Sequence, residues 1–210
     1  MRTSAPGRSA AGLKTLLAAA VVAPVAIGLA MLPSGAAEEG EPVGHDHAGH
    51  PSTVMTADAQ RDLARVRAST AKFHDLDAAL AAGYELGWVN GSGTRIVAGC
   101  VAHPQGAGAM GYHYFNAALM KDETTDALRP EVLVYAPTDD GGRRLVAVEW
   151  VVRGPQSNPP GPSRVPSVLG MPMHVLAPPP GPAFYLTHAW VWDPNPDGMF
   201  ADWNPRVSCG

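Results

Sequence analysis

Four polar side chains interrupt stretches that are otherwise apolar. His113 lies within Met110–Phe115, Glu149 within Arg144–Val152, and His188 within Phe184–Trp192. The fourth, His174, ends the run Met171-Pro172-Met173-His174. Three imidazoles and one carboxylate can surround a divalent transition ion such as Zn, Cu, Mn or Fe. With one position left to water, that ion could polarise a substrate or activate the water. Met171 and Met173 are soft ligands that would favour copper, although core or lid packing is the commoner use of methionine. A lone carboxylate in a buried row must be neutralised, paired or bound to a cation. Arg95, Arg129 and Arg153 are alternative partners for Glu149, and a hydrogen-bonded core histidine is the alternative for each imidazole. No HExxH or HxH spacing occurs in the folded part, so a shared site requires residues far apart in the chain to converge.

The elements that must bring them together read as α+β. Thr56 caps a helix expected from Ala57 to about Phe73, with Leu63, Val66, Thr70 and Phe73 on its inner face. A second, short helix starts at Asp75, turns Leu76 and Leu80 inward and stops at Gly83. From Tyr84 the pattern changes to strands separated by Gly- and Pro-rich loops, with a tight turn at Asn90-Gly91. Glu131–Ala136 and Arg144–Val152 form a hairpin across Asp139-Asp140-Gly141-Gly142. In its second strand, period two places Leu145, Ala147, Glu149 and Val151 on one face. The last strand, Phe184–Trp192, puts His188 with Leu186, Trp190 and Trp192. Residues 154–182 are too rich in proline for continuous sheet. The expected architecture is an antiparallel sheet or partial barrel, with the N-terminal helices packed on one side and long Pro/Gly-rich loops.

Composition and the chain's start set the compartment. Arg2, Arg8 and Lys14 precede the apolar run Leu16–Leu32, which small residues follow at 34–37, the layout of a secretory signal over residues 1–37. Residues 38–54 read as a disordered tether, and 55–210 as a single globular domain. The tether contains His45, His47 and His50, a short tract suited to loose capture of divalent ions and therefore an accessory to the main site. Cys100 and Cys209, the two cysteines of the chain, read as a disulfide in an oxidising compartment. A secreted or envelope location outside the cytoplasm follows, with no stable membrane span after processing. The net charge of −4 becomes −7 without the three cations of the signal, and no basic stripe is present, so nucleic acid is disfavoured as a partner. The expected partners are a metal ion or a small molecule.

Asp193-Pro194-Asn195-Pro196-Asp197-Gly198 imitates the start of an EF-hand loop, but two prolines break the backbone that loop needs. Asn204 also stands where a bidentate Glu belongs, so the segment reads as a stiffened turn. The chain has no GxSxG elbow, phosphate-cradling Gly loop or CxxC pair. No catalytic residue is assigned. Gly108-Ala109-Met110-Gly111-Tyr112-His113-Tyr114, Arg129–Tyr135, His188-Ala189-Trp190-Val191-Trp192 and the ending Phe200–Cys209 resemble a group of uncharacterised secreted bacterial proteins. The resemblance covers about Phe73 to Cys209 and implies export and a single domain, with no role for any residue. The leading expectation is a secreted metal-binding domain with His113, Glu149, His174 and His188 as ligands. The alternatives are a metal-free binding module for a small ligand or envelope component, and a haem-binding protein.

Overall fold

The computed structural model describes residues 55–121, 123–157, 160–176 and 183–210. The expected signal segment and the tract of His45, His47 and His50 lie outside the described residues. Helix α1 (Ala57–Thr70) is capped by the Thr56 hydroxyl, which accepts from the Ala59 amide, and it buries Leu63, Val66 and Thr70. A 3-10 turn at Ala71–His74 ends it earlier than the apolar spacing predicts. Helix α2 (Leu76–Ala81) is capped by Asp75. Leu80, expected inside, is exposed; the short helix buries Ala79 instead.

The strands are β1 (Tyr84–Leu86), β2 (Trp88–Val89), β3 (Arg95–Ile96), β4 (Cys100–Ala102), β5 (Ala109–Asn116), β6 (Val132–Pro137), β7 (Arg143–Arg153), β8 (Ser167–Val168), β9 (Met171–Pro172), β10 (His174–Leu176) and β11 (Phe184–Ala189). One antiparallel sheet runs β1-β5-β6-β7-β11-β10, with β4 also paired to β5. It is open, as the α+β expectation allows. The predicted hairpin is β6–β7, turned at Asp139–Gly142. The two faces of the sheet bury separate cores. Leu133, Tyr135, Val148, Trp150, Val152 and Tyr185 meet α1, the 3-10 turn and α2 on one face. Val132, Val134, Ala147, Val151, Leu186 and Trp190 occupy the other, together with Val207 of the C-terminal tail.

Two departures from strict alternation shape the second face. The β6–β7 register shifts between Val134 and Tyr135, which pair with Ala147 and Leu145. Val146 is the extra residue, so Leu145 belongs to the helix-covered core and not to the face of Glu149, correcting the period-two expectation. Strand β11 ends at Ala189, three residues before the expected end at Trp192. Trp190 stays with His188, while Trp192 crosses to the helices, its indole N–H donating to Thr70 Oγ1.

The C-terminal tail is held to the β4–β5 side of the sheet. The Ala109 and Asn204 backbones bond in both directions, at 3.2 and 3.1 Å, and the Cys100–Cys209 disulfide lies beyond them. Gly108 permits the approach, since it adopts φ +95° and a Cβ there would stand 2.2 Å from the Asn204 carbonyl oxygen. No helix among the described residues is long and apolar enough to cross a membrane.

Candidate metal site

The sheet face that carries the tail also gathers the polar residues singled out above. His113 projects from β5 opposite Val134 of β6, which pairs with Ala147 of β7. Glu149 of β7 stands directly across from His188 of β11. Directly paired residues in an antiparallel sheet point to the same side. His174 of β10 is paired with Leu186, and so lies diagonally from His188 on that side.

Strands β5 and β11 are separated by two intervening strands, which in a flat sheet would set them about 14 Å apart. The imidazole centroids of His113 and His188 are only 6.3 Å apart. The face must therefore be concave, and its side chains converge across it. Gly111 in β5 adopts φ +115°, with the Tyr135 carbonyl oxygen 2.5 Å from where a Cβ would sit. Only glycine lets the β5 backbone bend against β6 there. His188 also lies 4.8 Å from the Trp190 ring, and His113 stacks on Phe115 at 6.3 Å.

Burial divides the four residues into two layers. His113, Glu149 and His188 are buried, His188 completely. His174 is half exposed, and its Nε2 lies 3.9 Å from Oδ1 of Asp202, which is 41% exposed. Sequence reasoning missed Asp202 because it sits in an irregular tail with no periodicity to assign it a face. It also missed Glu131, just before β6, whose carboxylate accepts from the Val151 amide at 3.0 Å. The register shows why an acid stands there. Strand β6 begins at Val132, opposite Glu149, and beyond its start the Pro130 carbonyl accepts from the Tyr84 hydroxyl while the Glu131 carboxylate receives the Val151 N–H.

The electrostatics of the inner layer are dominated by desolvation. Burial lifts the Glu149 carboxyl to about 8, with the charges of Asp202 and Glu131 adding to the effect. Burial lowers His113 to about 4. It lowers His188 to about 3, helped by its neighbours His113 and His174. At neutral pH the inner layer is thus two neutral imidazoles and a protonated carboxyl. Among the described residues, no arginine forms an ion pair with Glu149: Arg95 pairs with Glu85, Arg129 with Asp126 and Arg153 with Glu123.

Hydrogen bonding leaves the His188 imidazole unsatisfied. Among the described residues, both ring nitrogens of His188 are buried without a partner, while His113, whose Nδ1 makes no hydrogen bond of normal geometry, lies by the Gly111 carbonyl, which opposes the lowering of its pKa. Each buried polar atom left unpaired costs about 1–3 kcal/mol, and His188 carries two. The donor chemistry suits a borderline ion, which binds neutral imidazole and carboxylate. Two imidazoles on a tetrahedral ion, with bonds of about 2.0–2.1 Å, have centroids about 5.3 Å apart. The observed pair is wider by roughly 1 Å, within reach of side-chain rotation. Among the described residues, no group of three or more His, Cys, Asp or Glu side chains is already set around a common metal position.

The other residues considered fall elsewhere. Met173 is buried in the helix-covered core, its ordinary packing role, and so lies away from the imidazoles. His103 Nδ1 accepts from the Gln105 and Ala107 amides and its ring meets Trp203, which makes it a loop-organising residue. His74 packs edge-on against Trp192. The Asp193–Gly198 segment is a turn, closed by the Gly198 amide on the Asn195 carbonyl. Compared with protein-family models, with curated proteins and with solved structures, the chain matches none.

Proposed function

We propose that this protein is an extracytoplasmic metal-binding domain in which His113, Glu149 and His188 are the inner ligands of a divalent transition ion. One observation carries the reading: two buried imidazoles, one with both nitrogens unpartnered, lie 6.3 Å apart on a concave sheet face that also carries a buried carboxylate with no ion pair among the described residues. An ion would supply what all three groups lack. It would accept one nitrogen lone pair from each neutral imidazole, leaving the other His188 nitrogen an N–H, and hold Glu149 in its ionised form. The disulfide supports export, because such bonds persist in oxidising compartments. His45, His47 and His50 would serve as an accessory that loosely collects divalent ions, as short His tracts can. Bound there, the ion would supply Lewis acidity, while this chain's residues position it on the buried, concave face of the sheet.

A second reading has its own observation. A cleft of about 530 Å³, lined by Arg67, Trp192, Asn195 and Met199, is of a size that holds small ligands and favours a binding module. Metal analysis and a visible absorption scan of the purified mature protein separate the possibilities. Stoichiometric metal that disappears in folded His188→Ala and Glu149→Ala variants supports the proposal. A Soret band would indicate haem, and neither signal would leave the binding module.

A further inference from the structure

The inner layer is closed to solvent at His188, so an ion must reach it through some other group. Among the described residues, two partly exposed metal-ligating side chains act electrostatically on that layer. His174 lies on the edge strand β10, diagonal to His188 across the β10–β11 ladder, and half its side chain is exposed. Asp202 comes from the C-terminal tail and acts electrostatically on Glu149. Their ligating atoms, Nε2 and Oδ1, stand 3.9 Å apart. On one tetrahedral ion, with bonds of about 2.0–2.2 Å, the same two atoms would be roughly 3.4 Å apart. Closing by half an ångström is a small rearrangement for two half-exposed side chains.

Resting on the metal-binding reading, we propose that His174 and Asp202 form a second, outer metal position that captures the hydrated ion and passes it inward to His113, Glu149 and His188. Two protein ligands, one imidazole and one carboxylate, leave the remaining positions to water, so the outer complex is weak and exchanges quickly. The Asp202 carboxylate also attracts a cation towards the pair. As the ion moves inward, its waters are exchanged for His188 and His113 nitrogens and the Glu149 carboxylate. Neither outer ligand remains bound in the final complex. His174 thereby separates from the inner three, with which its residue type alone would group it.

The distinction is kinetic. A residue that only lowers the entry barrier changes association and dissociation together and leaves the equilibrium untouched, whereas a ligand of the final complex changes affinity and spectrum. The test uses the full mature chain with His45→Ser, His47→Ser and His50→Ser, so that the tether does not compete. Cu²⁺ uptake is followed by stopped-flow quenching of tryptophan, since Trp190 lies 4.8 Å from His188, and Co²⁺ absorption reports the ligand set. Expected for His174→Ala and Asp202→Asn is a drop of tenfold or more in association rate. The dissociation rate should fall in parallel, Kd should move less than threefold, and the Co²⁺ spectrum should not change. Association rates unchanged in both variants, while His188→Ala abolishes binding, would overturn the outer position and leave the inner site standing. A rise in Kd with an altered Co²⁺ spectrum would likewise overturn it, by making the pair ligands of a single site. No saturable binding to the parent chain would overturn both readings.

Discussion

Replacing Glu149 by Gln removes the ionisable group and keeps the shape of the protonated carboxyl. In the metal-free protein, burial holds Glu149 protonated to about pH 8, against an ordinary value of 4.5. An acid raised in the folded state stabilises fully below its unfolded pKa, and that contribution is lost as pH rises towards the folded one. The cumulative cost is about 3 kcal/mol at pH 7 and about 4 kcal/mol at pH 8, at about 1.4 kcal/mol per unit. His113 and His188 act in the opposite direction. Their folded values of about 4 and about 3 lie below the ordinary 6.5, so their contribution is present above 6.5 and lost as pH falls. The three groups together give the apo domain a stability maximum near about pH 6.5. Urea denaturation with EDTA present measures this directly. The parent should lose about 1 kcal/mol between pH 6.5 and 8, because the two imidazoles offset part of the Glu149 loss, and Glu149→Gln should instead gain slightly. A flat parent profile over that interval, or an equal decline in the variant, would refute the desolvation argument.

Metal uptake at pH 7 should release about one proton per ion, because the ion replaces the proton on Glu149; calorimetry in two buffers of different ionisation enthalpy counts it, and a count of zero contradicts the assignment. His188→Leu should abolish stoichiometric binding while leaving the apo melting temperature unchanged or higher, since two unpartnered nitrogens leave the core; a fall worth more than about 2 kcal/mol would show those nitrogens to be satisfied. Replacing Cys100 and Cys209 together by Ser opens a loop with a sequence separation of 109 and should cost up to about 4–5 kcal/mol. In that variant, hydrogen exchange at the Asn204 amide, which donates to Ala109, should accelerate; unchanged protection would mean the tail is held without the bond. Gly111→Ala should destabilise by about 2 kcal/mol or more, through its positive φ and the 2.5 Å approach to the Tyr135 carbonyl, with denaturation midpoints as the readout.

Residue type and local period were enough for the elements and for suspicion of the right residues. A cap at Thr56, an apolar 3.6 period and the alternation around Glu149 are local facts, and the structure bears them out in α1 and β7. The disulfide followed from compartment and count. His113, Glu149 and His188 stood out because each breaks an apolar pattern, and all three are buried where that pattern placed them. Leu145 escaped because a bulge inserts one residue, and a two-residue period cannot reveal where such an insertion falls. Leu80 escaped because α2 is too short for its period to define a face.

What only the tertiary structure decided is which residues meet. His113 and His188 come from strands three places apart in the sheet, and their 6.3 Å approach depends on the curvature of the whole sheet. Asp202 reaches the mouth because a tail with no period of its own is tied to β5 by a bond pair and to β4 by a disulfide. His174 separates from the inner imidazoles because its strand lies at an open edge, where water reaches what the central strands exclude. Period and composition act over a few residues, whereas curvature, edge position and tail closure are properties of the assembled sheet. The side chains that could hold an ion were visible one at a time; they come onto one concave face only once the seventy-four residues between His113 and His188 have folded back on themselves.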